Sequence, residues 1–406
     1  MRLKKILILI IILLASSIFG RSKYDFSQFR YDKRHSGVSQ SPGPMRRPKL
    51  LWSFALKAIV TGAPLFKDGV LYFGDLDNNF YALDGYSGKV LWSKKLKSRG
   101  DEPVGIHNSP AIYRKLVIVA SGDGYLYAFN RKTGRRKWGP KDLKEPIYSS
   151  PIVRKKNLLI TTAGEGTLWI LKPSRGKTIL KTSIGTPIYS TLVINEKPSS
   201  LIIGDNPTPR SPKPATQPRI DYELYITVPS KVITYQIDLK FHKAIPLKEI
   251  PIDGSITSSP VFYKEKLYFS TRQFLYCISR NTIKWVKRVK PIAVHSERKT
   301  YPSPVVIGDL VIHGSKGYNA EDGSGAWNFW SYGRATSDAI ASPKILYMVG
   351  KYTLYDRTLG FIAGIRVKTE GLMFWTNLPS PPVAPPIIAG NIIYLATEKQ
   401  WLYALR

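Results

Sequence analysis

Cysteine is almost missing from this chain. Cys277 is the only one in 406 residues, so no disulfide can close within it and burial must supply the stability. Its setting, Phe274-Leu275-Tyr276-Cys277-Ile278, alternates like a strand and makes Cys277 a small buried hydrophobe. Acidic residues are scarce too. Twenty-eight Asp and Glu face 61 Lys and Arg, a formal charge of +33. Heat adaptation would tend to raise both signs together, so this imbalance points to anionic partners: lipid head groups, envelope polymers or acidic proteins. The five histidines, His35, His107, His242, His295 and His313, are scattered. They lack the spacing of metal ligands, and no Gly-x-Ser-x-Gly elbow accompanies them. A long apolar run occurs only at the start. Residues 1–20 carry Arg2, Lys4 and Lys5, then Ile6–Leu14, then Ala15, Ser16 and Ser17, the layout of a secretory signal or of an uncleaved anchor. No cysteine follows it to take a lipid. Export makes nucleic acid an unexpected partner.

What is present is a repeat. Residues 61–96 hold two β-branched and aromatic runs, Val70–Phe73 and Asn79–Leu83, separated by turn residues and closed by Ser87-Gly88-Lys89 before Leu91-Trp92. The same order returns over 107–138, with Pro64, Ala82, Gly88 and Trp92 matched by Pro110, Ala128, Gly134 and Trp138. The proline landmark continues through Pro151, a degenerate Leu192, Pro260, Pro304, Pro343 and Pro386, in steps of 46, 41, 41, 68, 44, 39 and 43 residues. Eight all-β copies of this period predict an eight-bladed β-propeller of four-stranded antiparallel blades over residues 50–406. The eighth copy ends in Ala404-Leu405-Arg406, and Leu50-Leu51-Trp52-Ser53-Phe54 precedes the first. The N-terminal strand is therefore expected to complete the last blade and remove the open edges. Residues 21–49 form a lead-in segment.

The pattern Ala-x-Asp-x-x-x-Gly-x-x-x-Trp, written here as Ala82, Asp84, Gly88 and Trp92, resembles the PQQ-like, quinoprotein-type propeller repeat. Phe29-Arg30-Tyr31-Asp32 through Gly37 also resembles the lead-in of such proteins. The resemblance implies that Trp52, Trp92, Trp138, Trp285, Trp327 and Trp375 dock between blades. Copy three has Leu180 near that position and copy four has no Trp. Members that are PQQ-dependent dehydrogenases hold their quinone beside an adjacent-cysteine disulfide, with Ca²⁺ on Glu, Asn and Asp oxygens. A lone Cys277 cannot build that disulfide, so no cofactor, metal or catalytic residue is assigned. The layout is similar to the BamB family of outer-membrane protein assembly factors. That resemblance implies a periplasmic scaffold, monomeric within a complex, whose loops bind envelope proteins such as a BamA-type barrel assembly subunit. The alternatives are a charge-driven binder of anionic envelope polymers or lipids, and a degenerate dehydrogenase.

Three further stretches stand out. Residues 204–222 carry five prolines with Arg210, Lys213 and Arg219, and are expected to be an insertion in an extended loop. Asp75-Leu76-Asp77-Asn78-Asn79 and Ser121-Gly122-Asp123-Gly124 look superficially like metal loops but carry the chemistry of tight turns. Trp327, Phe329, Trp330 and Tyr332 are the densest aromatic cluster, the one place where an exposed aromatic surface is expected.

Overall fold

The computed structural model describes residues 29–32, 34–154, 158–195, 222–256, 258–290, 302–328 and 334–406. Residues 1–20, the prolines of the 204–222 stretch, His295, Phe329, Trp330 and Tyr332 lie outside the described residues. Among the described residues there is no helix. Strands pair in eight separate antiparallel sheets, and these are the blades of a propeller. Blade 1 spans 65–95, blade 2 111–142, blade 3 152–183, blade 4 193–251, blade 5 261–288, blade 6 305–328 and blade 7 334–378. Blade 8 is composite: Leu50–Ala55 pairs with Trp401–Leu405 outside Ile392–Ala396 and Ile387–Ala389. The ring is thus closed by the strand farthest from it in sequence.

Each blade begins with a short strand at the axis, and in most blades the residue just before it is the proline landmark. Blade 7 corrects the repeat register. Its inner position is split between Arg334–Ala335 and Ile340–Ala341, both paired with Ile345–Leu354. The landmark there is Ala339, and Pro343 lies in the following turn, because a Ser-Pro pair suits a hairpin turn as well as a strand entry. The 204–222 stretch falls between Val193–Asn195 and Tyr222–Val228, the first two strands of blade 4. Tyr222 itself opens a strand and is buried.

Side chains of the two middle strands fill the space between blades. Tyr72, Tyr268, Tyr347, Tyr394, Phe66, Phe73, Phe80, Phe269 and Phe361 are among the largest fully buried side chains. Burying one aromatic ring stabilises by roughly 1.5–3 kcal/mol. With eight such layers, the absence of disulfides needs no substitute.

Candidate functional site

The outermost strand of every blade carries a bulge at one and the same place. The position just past it faces Ala82 in blade 1, Ala128 in blade 2, Cys277 in blade 5 and Ala404 in blade 8, and is filled by Trp92, Trp138, Trp285 and Trp52. Each indole N–H crosses to the next blade. Trp52 donates to the Gly85 carbonyl at 3.0 Å, Trp92 to Arg131 at 3.1 Å, Trp138 to Pro173 at 2.8 Å and Trp285 to Ala320 at 3.3 Å. A second-strand tyrosine shares three of these acceptors: Tyr394 on Gly85, Tyr72 on Arg131 and Tyr268 on Ala320. The receiving turn also explains the signature glycine. A Cβ on Gly88 would stand 2.8 Å from Trp52, on Gly134 2.7 Å from Trp92, on Gly176 2.9 Å from Trp138 and on Gly323 2.7 Å from Trp285, all at positive φ. The repeat is therefore a junction: Trp from one blade, Gly from the next.

Three blades depart from that rule, and in blade 4 the place is held by Lys248, opposite Thr234. In blade 3 the place is held by Leu180, and the receiving turn of blade 4 carries His242 at φ 51°, at the place of Gly88, Gly134, Gly176 and Gly323. In blade 7 the place belongs to Phe374, opposite Gly364. Trp375, one residue on, points to the other face of the sheet; it stacks on Phe361 at 4.1 Å and donates to Asn377 Oδ1. Trp327 is 5% exposed and sits in a cluster with Ala341, Leu346, Met348 and Ile365 of blade 7. It is a core residue, not part of an exposed aromatic surface. Glu370, at φ 54°, takes the glycine position after it.

A second ring of junctions surrounds the axis. From blade 2 to blade 6 the residue before the landmark sends its backbone N–H to the side-chain oxygen of its counterpart in the next blade: Ser109 to Ser150, Ser150 to Thr191, Thr191 to Ser259, Ser259 to Ser303, and Ser303 to Asp338. Distances are 2.8–3.1 Å. Asp338 ends the chain of bonds with a buried ion pair to Arg30 at 2.9 Å. Arg30 also donates to the Ser303, Pro304 and His35 carbonyls. The lead-in then crosses the inner strands, accepting from Phe262 at Arg34, from Val306 at Ser36 and from Ala341 at Gly37. Asp32 shapes its turn by accepting from the Arg34 and Ser36 amides, and Gly37, at φ +73°, leaves room for the Arg30 guanidinium. The lead-in motif thus folds back into the propeller's own centre.

Desolvation dominates the titratable groups here. His35 is held well below the usual histidine range by burial, with Arg154 and Arg30 adding to it. Burial lowers His313 to about 4, against an opposing influence of Asp338. Burial likewise pushes the Cys277 thiol up to about 12, as suits a buried hydrophobe. The two acidic loops have structural duties. Asp75 accepts from Asp77, Asn79 and Tyr81, while Asp123 accepts from Arg99, Val104 and Asn78, tying the turns of blades 1 and 2 to the connection between them. His107 bonds the Val104 carbonyl through Nε2 and stands against Tyr148, which faces Tyr189. Among the described residues, no three His, Cys, Asp or Glu side chains gather as a metal would need.

The positive charge is unevenly spread. The outer strands of blades 1–5 carry Lys94 and Lys95, Arg136, Lys137 and Lys141, Lys177 and Lys181, Lys243 and Lys248, and Lys284, Lys287 and Arg288. Only Asp142 and Glu249 oppose them there. Outer strands of a propeller are open edges, and lysine is a standard guard against edge pairing. The corresponding strands of blades 6–8 hold no charge at all.

Closed ring, interblade Trp–Gly junctions and Ser-Pro strand entries together define an eight-bladed β-propeller whose repeats are similar to the PQQ-like type. The family model described as outer membrane protein assembly factor BamB matches residues 46–207. The chain is 30% identical over 118 residues to outer membrane protein assembly factor BamB of Francisella tularensis, covering 29% of this chain and 24% of that protein. It is 33% identical over 108 residues to quinoprotein alcohol dehydrogenase PedH of Pseudomonas putida, covering 25% of this chain and 18% of the enzyme. The matched stretches thus span about a quarter or less of these curated relatives. Among solved structures, BamB from Moraxella catarrhalis aligns over 88% of this chain and 97% of its own, with a TM-score of 0.56 at 13% identity. A quinohemoprotein alcohol dehydrogenase from Comamonas testosteroni aligns over 94% and 80%, with a TM-score of 0.65 at 11% identity. Both likenesses are likenesses of fold.

The quinoprotein relatives raise the question of a quinone at the axis, and the residues here do not fit one. The axial cavity bounded by Phe29, Ser109, Ser150, Thr191, Ser303 and Asp338 has about 30 Å³ of water-accessible space, room for about two water molecules. The side-chain oxygens of Ser150, Thr191, Ser259 and Ser303 already accept interblade bonds, and the chain's own Phe29 lines the cavity.

Proposed function

We propose that this protein is a non-enzymatic scaffold of the cell envelope that binds partner proteins through its propeller loops, with a BamB-like role in outer-membrane protein assembly. The observation that carries this reading is the narrow axis. The inner strands of eight blades converge there, making it the natural concave site of such a fold, and here it is narrowed to about 30 Å³ between Phe29 and the hydroxyl ring. What remains for function is the outside. Loops on a rigid ring are suited to binding because the ring bears their ordering cost in advance. The signal-like start at residues 1–20 and the BamB relatives support export to the periplasm or the periphery of the outer membrane.

The test is an affinity capture with the tagged mature protein from detergent-solubilised envelopes of its host, washed at low and at high salt. The scaffold reading expects a barrel-assembly protein that survives high salt, since an interface with an apolar centre is weakly screened. Recovery of acidic material alone, all lost in salt, would remove it. Addition of PQQ and Ca²⁺ followed by a dye-linked alcohol oxidation assay addresses the enzyme alternative; turnover there would overturn the proposal.

A further inference from the structure

We infer that the rim formed by blades 7, 8 and 1 carries a docking site for an anionic lipid surface, centred on Arg46, Arg47 and Arg366. This goes beyond the scaffold reading and stands without it. The same bulge that seats the interblade Trp turns two consecutive residues outward just ahead of it. On blades 7, 8 and 1 those pairs are Leu372-Met373, Leu50-Leu51 and Val90-Leu91. Leu372 is 53% exposed, Leu50 57% and Leu91 50%. The equivalent pair is Arg136-Lys137 on blade 2 and Ile283-Lys284 on blade 5, while blade 4 has Pro246-Leu247, so what marks this arc is that three adjacent blades present such exposed apolar pairs.

Beside the apolar pairs lies an open groove of about 420 Å³, formed where the lead-in passes the last turn of blade 7 and lined by Met45, Arg46, Arg47, Arg366, Leu372 and Met373, with Thr369 and Gly371 at its edge. Three guanidinium groups from two separate segments line it, and no carboxylate does. Glu370, in the same turn, is not among the lining residues. None of the three arginines has a carboxylate partner among the described residues. Guanidinium groups bind phosphate oxygens in a fork, and exposed Met and Leu beside them suit the acyl boundary below a phosphate layer. A polysaccharide or a nucleic acid would use the cations and leave Met45, Leu50 and Leu372 facing water. Both halves of the surface are engaged only by an anionic lipid layer, and that is the occupant we assign.

Vesicle co-sedimentation of the full chain tests this, comparing phosphatidylglycerol–phosphatidylcholine vesicles with phosphatidylcholine alone at about 0.1 M salt. The variant Arg46→Gln/Arg47→Gln/Arg366→Gln should bind on the order of a hundredfold more weakly, at roughly fivefold per basic residue at an anionic surface. Its control, Lys177→Gln/Lys181→Gln/Lys284→Gln, removes the same charge from blades 3 and 5, more than a Debye length away, and should lose less than about threefold. Leu50→Ser/Leu372→Ser, at half-exposed positions that do not threaten folding, should weaken binding and make the remainder more salt-sensitive. Unchanged melting temperatures confirm that each variant folds. Equal losses in the two charge variants, or no effect of the leucine pair, would overturn the site in favour of diffuse attraction to any polyanion. Equal binding to both vesicle types, or to neither, would also overturn it.

Discussion

The junction between blades 1 and 2 offers a direct energetic test, because its two halves come from opposite ends of the repeat. Gly134 stands at φ +65°, and a Cβ there would lie 2.7 Å from Trp92. Gly134→Ala therefore incurs two costs. A methyl-bearing residue in the left-handed region costs about 1–2 kcal/mol, and forcing that methyl against a packed indole costs about 1–3 kcal/mol more. Trp92→Leu removes the second cost along with the bond to the Arg131 carbonyl, and by itself should destabilise by about 2–4 kcal/mol. In the double variant Gly134→Ala should then cost only its backbone share. The pair is thus expected to couple by about 1–3 kcal/mol, read from urea unfolding followed by far-ultraviolet circular dichroism. The protein contains its own control at the next junction but one, where Leu180 precedes His242 at φ 51°. Leu180 and His242→Gly should show no such coupling. Additive costs at Trp92 and Gly134 to within about 0.5 kcal/mol would refute the junction as the reason for the glycine.

Two other outcomes follow from the axis. Asp338→Ala leaves Arg30 buried without its carboxylate, and should cost about 3–5 kcal/mol in urea unfolding, partly recovered by Arg30→Met in the same chain; a loss under about 1 kcal/mol would remove the plug from the stability of the ring. For His313, burial lowers the native pKa to about 4, below an unfolded value of about 6.5. As pH falls through this window the unfolded chain takes the proton first, so the contribution is intact above pH 6.5 and fades toward pH 4. A loss of about 2 kcal/mol between pH 7 and 5 is expected from this residue, with His35 acting in the same direction, and His313→Gln should flatten the slope. An identical slope in that variant would assign the pH dependence elsewhere.

Much of the architecture is readable from residue order because each landmark answers a local need. Pro110 and Pro260 mark strand entries, Asp84 and Asn130 cap a tight turn through their side-chain oxygens, and Gly88 meets a positive φ. Where two residues could meet the same need, order alone misleads. Phe374 and Trp375 are adjacent aromatics, and only the bulge decides which faces the next blade. Pro343 competes with Ala339 because blade 7 begins with a broken strand. The sequence carries Ser or Thr before Pro110, Pro151, Leu192, Pro260 and Pro304, yet the meaning of these hydroxyls lies between blades, about 40–70 residues apart in sequence. Arg30 and Asp338 are separated by 308 positions, and no local pattern announces that pairing. The arginine groove joins the lead-in to a turn of blade 7 and is likewise a product of closure.

The composite eighth blade has a consequence in time. Leu50–Ala55 is made early, yet its only strand partner among the described residues is Trp401–Leu405, which a ribosome delivers some 350 residues later. Until then an apolar strand waits beside a lead-in whose resting place is the centre of a ring not yet assembled. Residues 34–39 hydrogen-bond to blades 5, 6, 7 and 8, so the lead-in cannot settle on all four before the last of them exists. Seating the lead-in and closing the ring belong to one late event. A nascent chain held unfinished would keep both its beginning and its newest end sticky, and a chaperone that shields residues 29–55 would be acting on the folding step that decides whether the toroid forms at all.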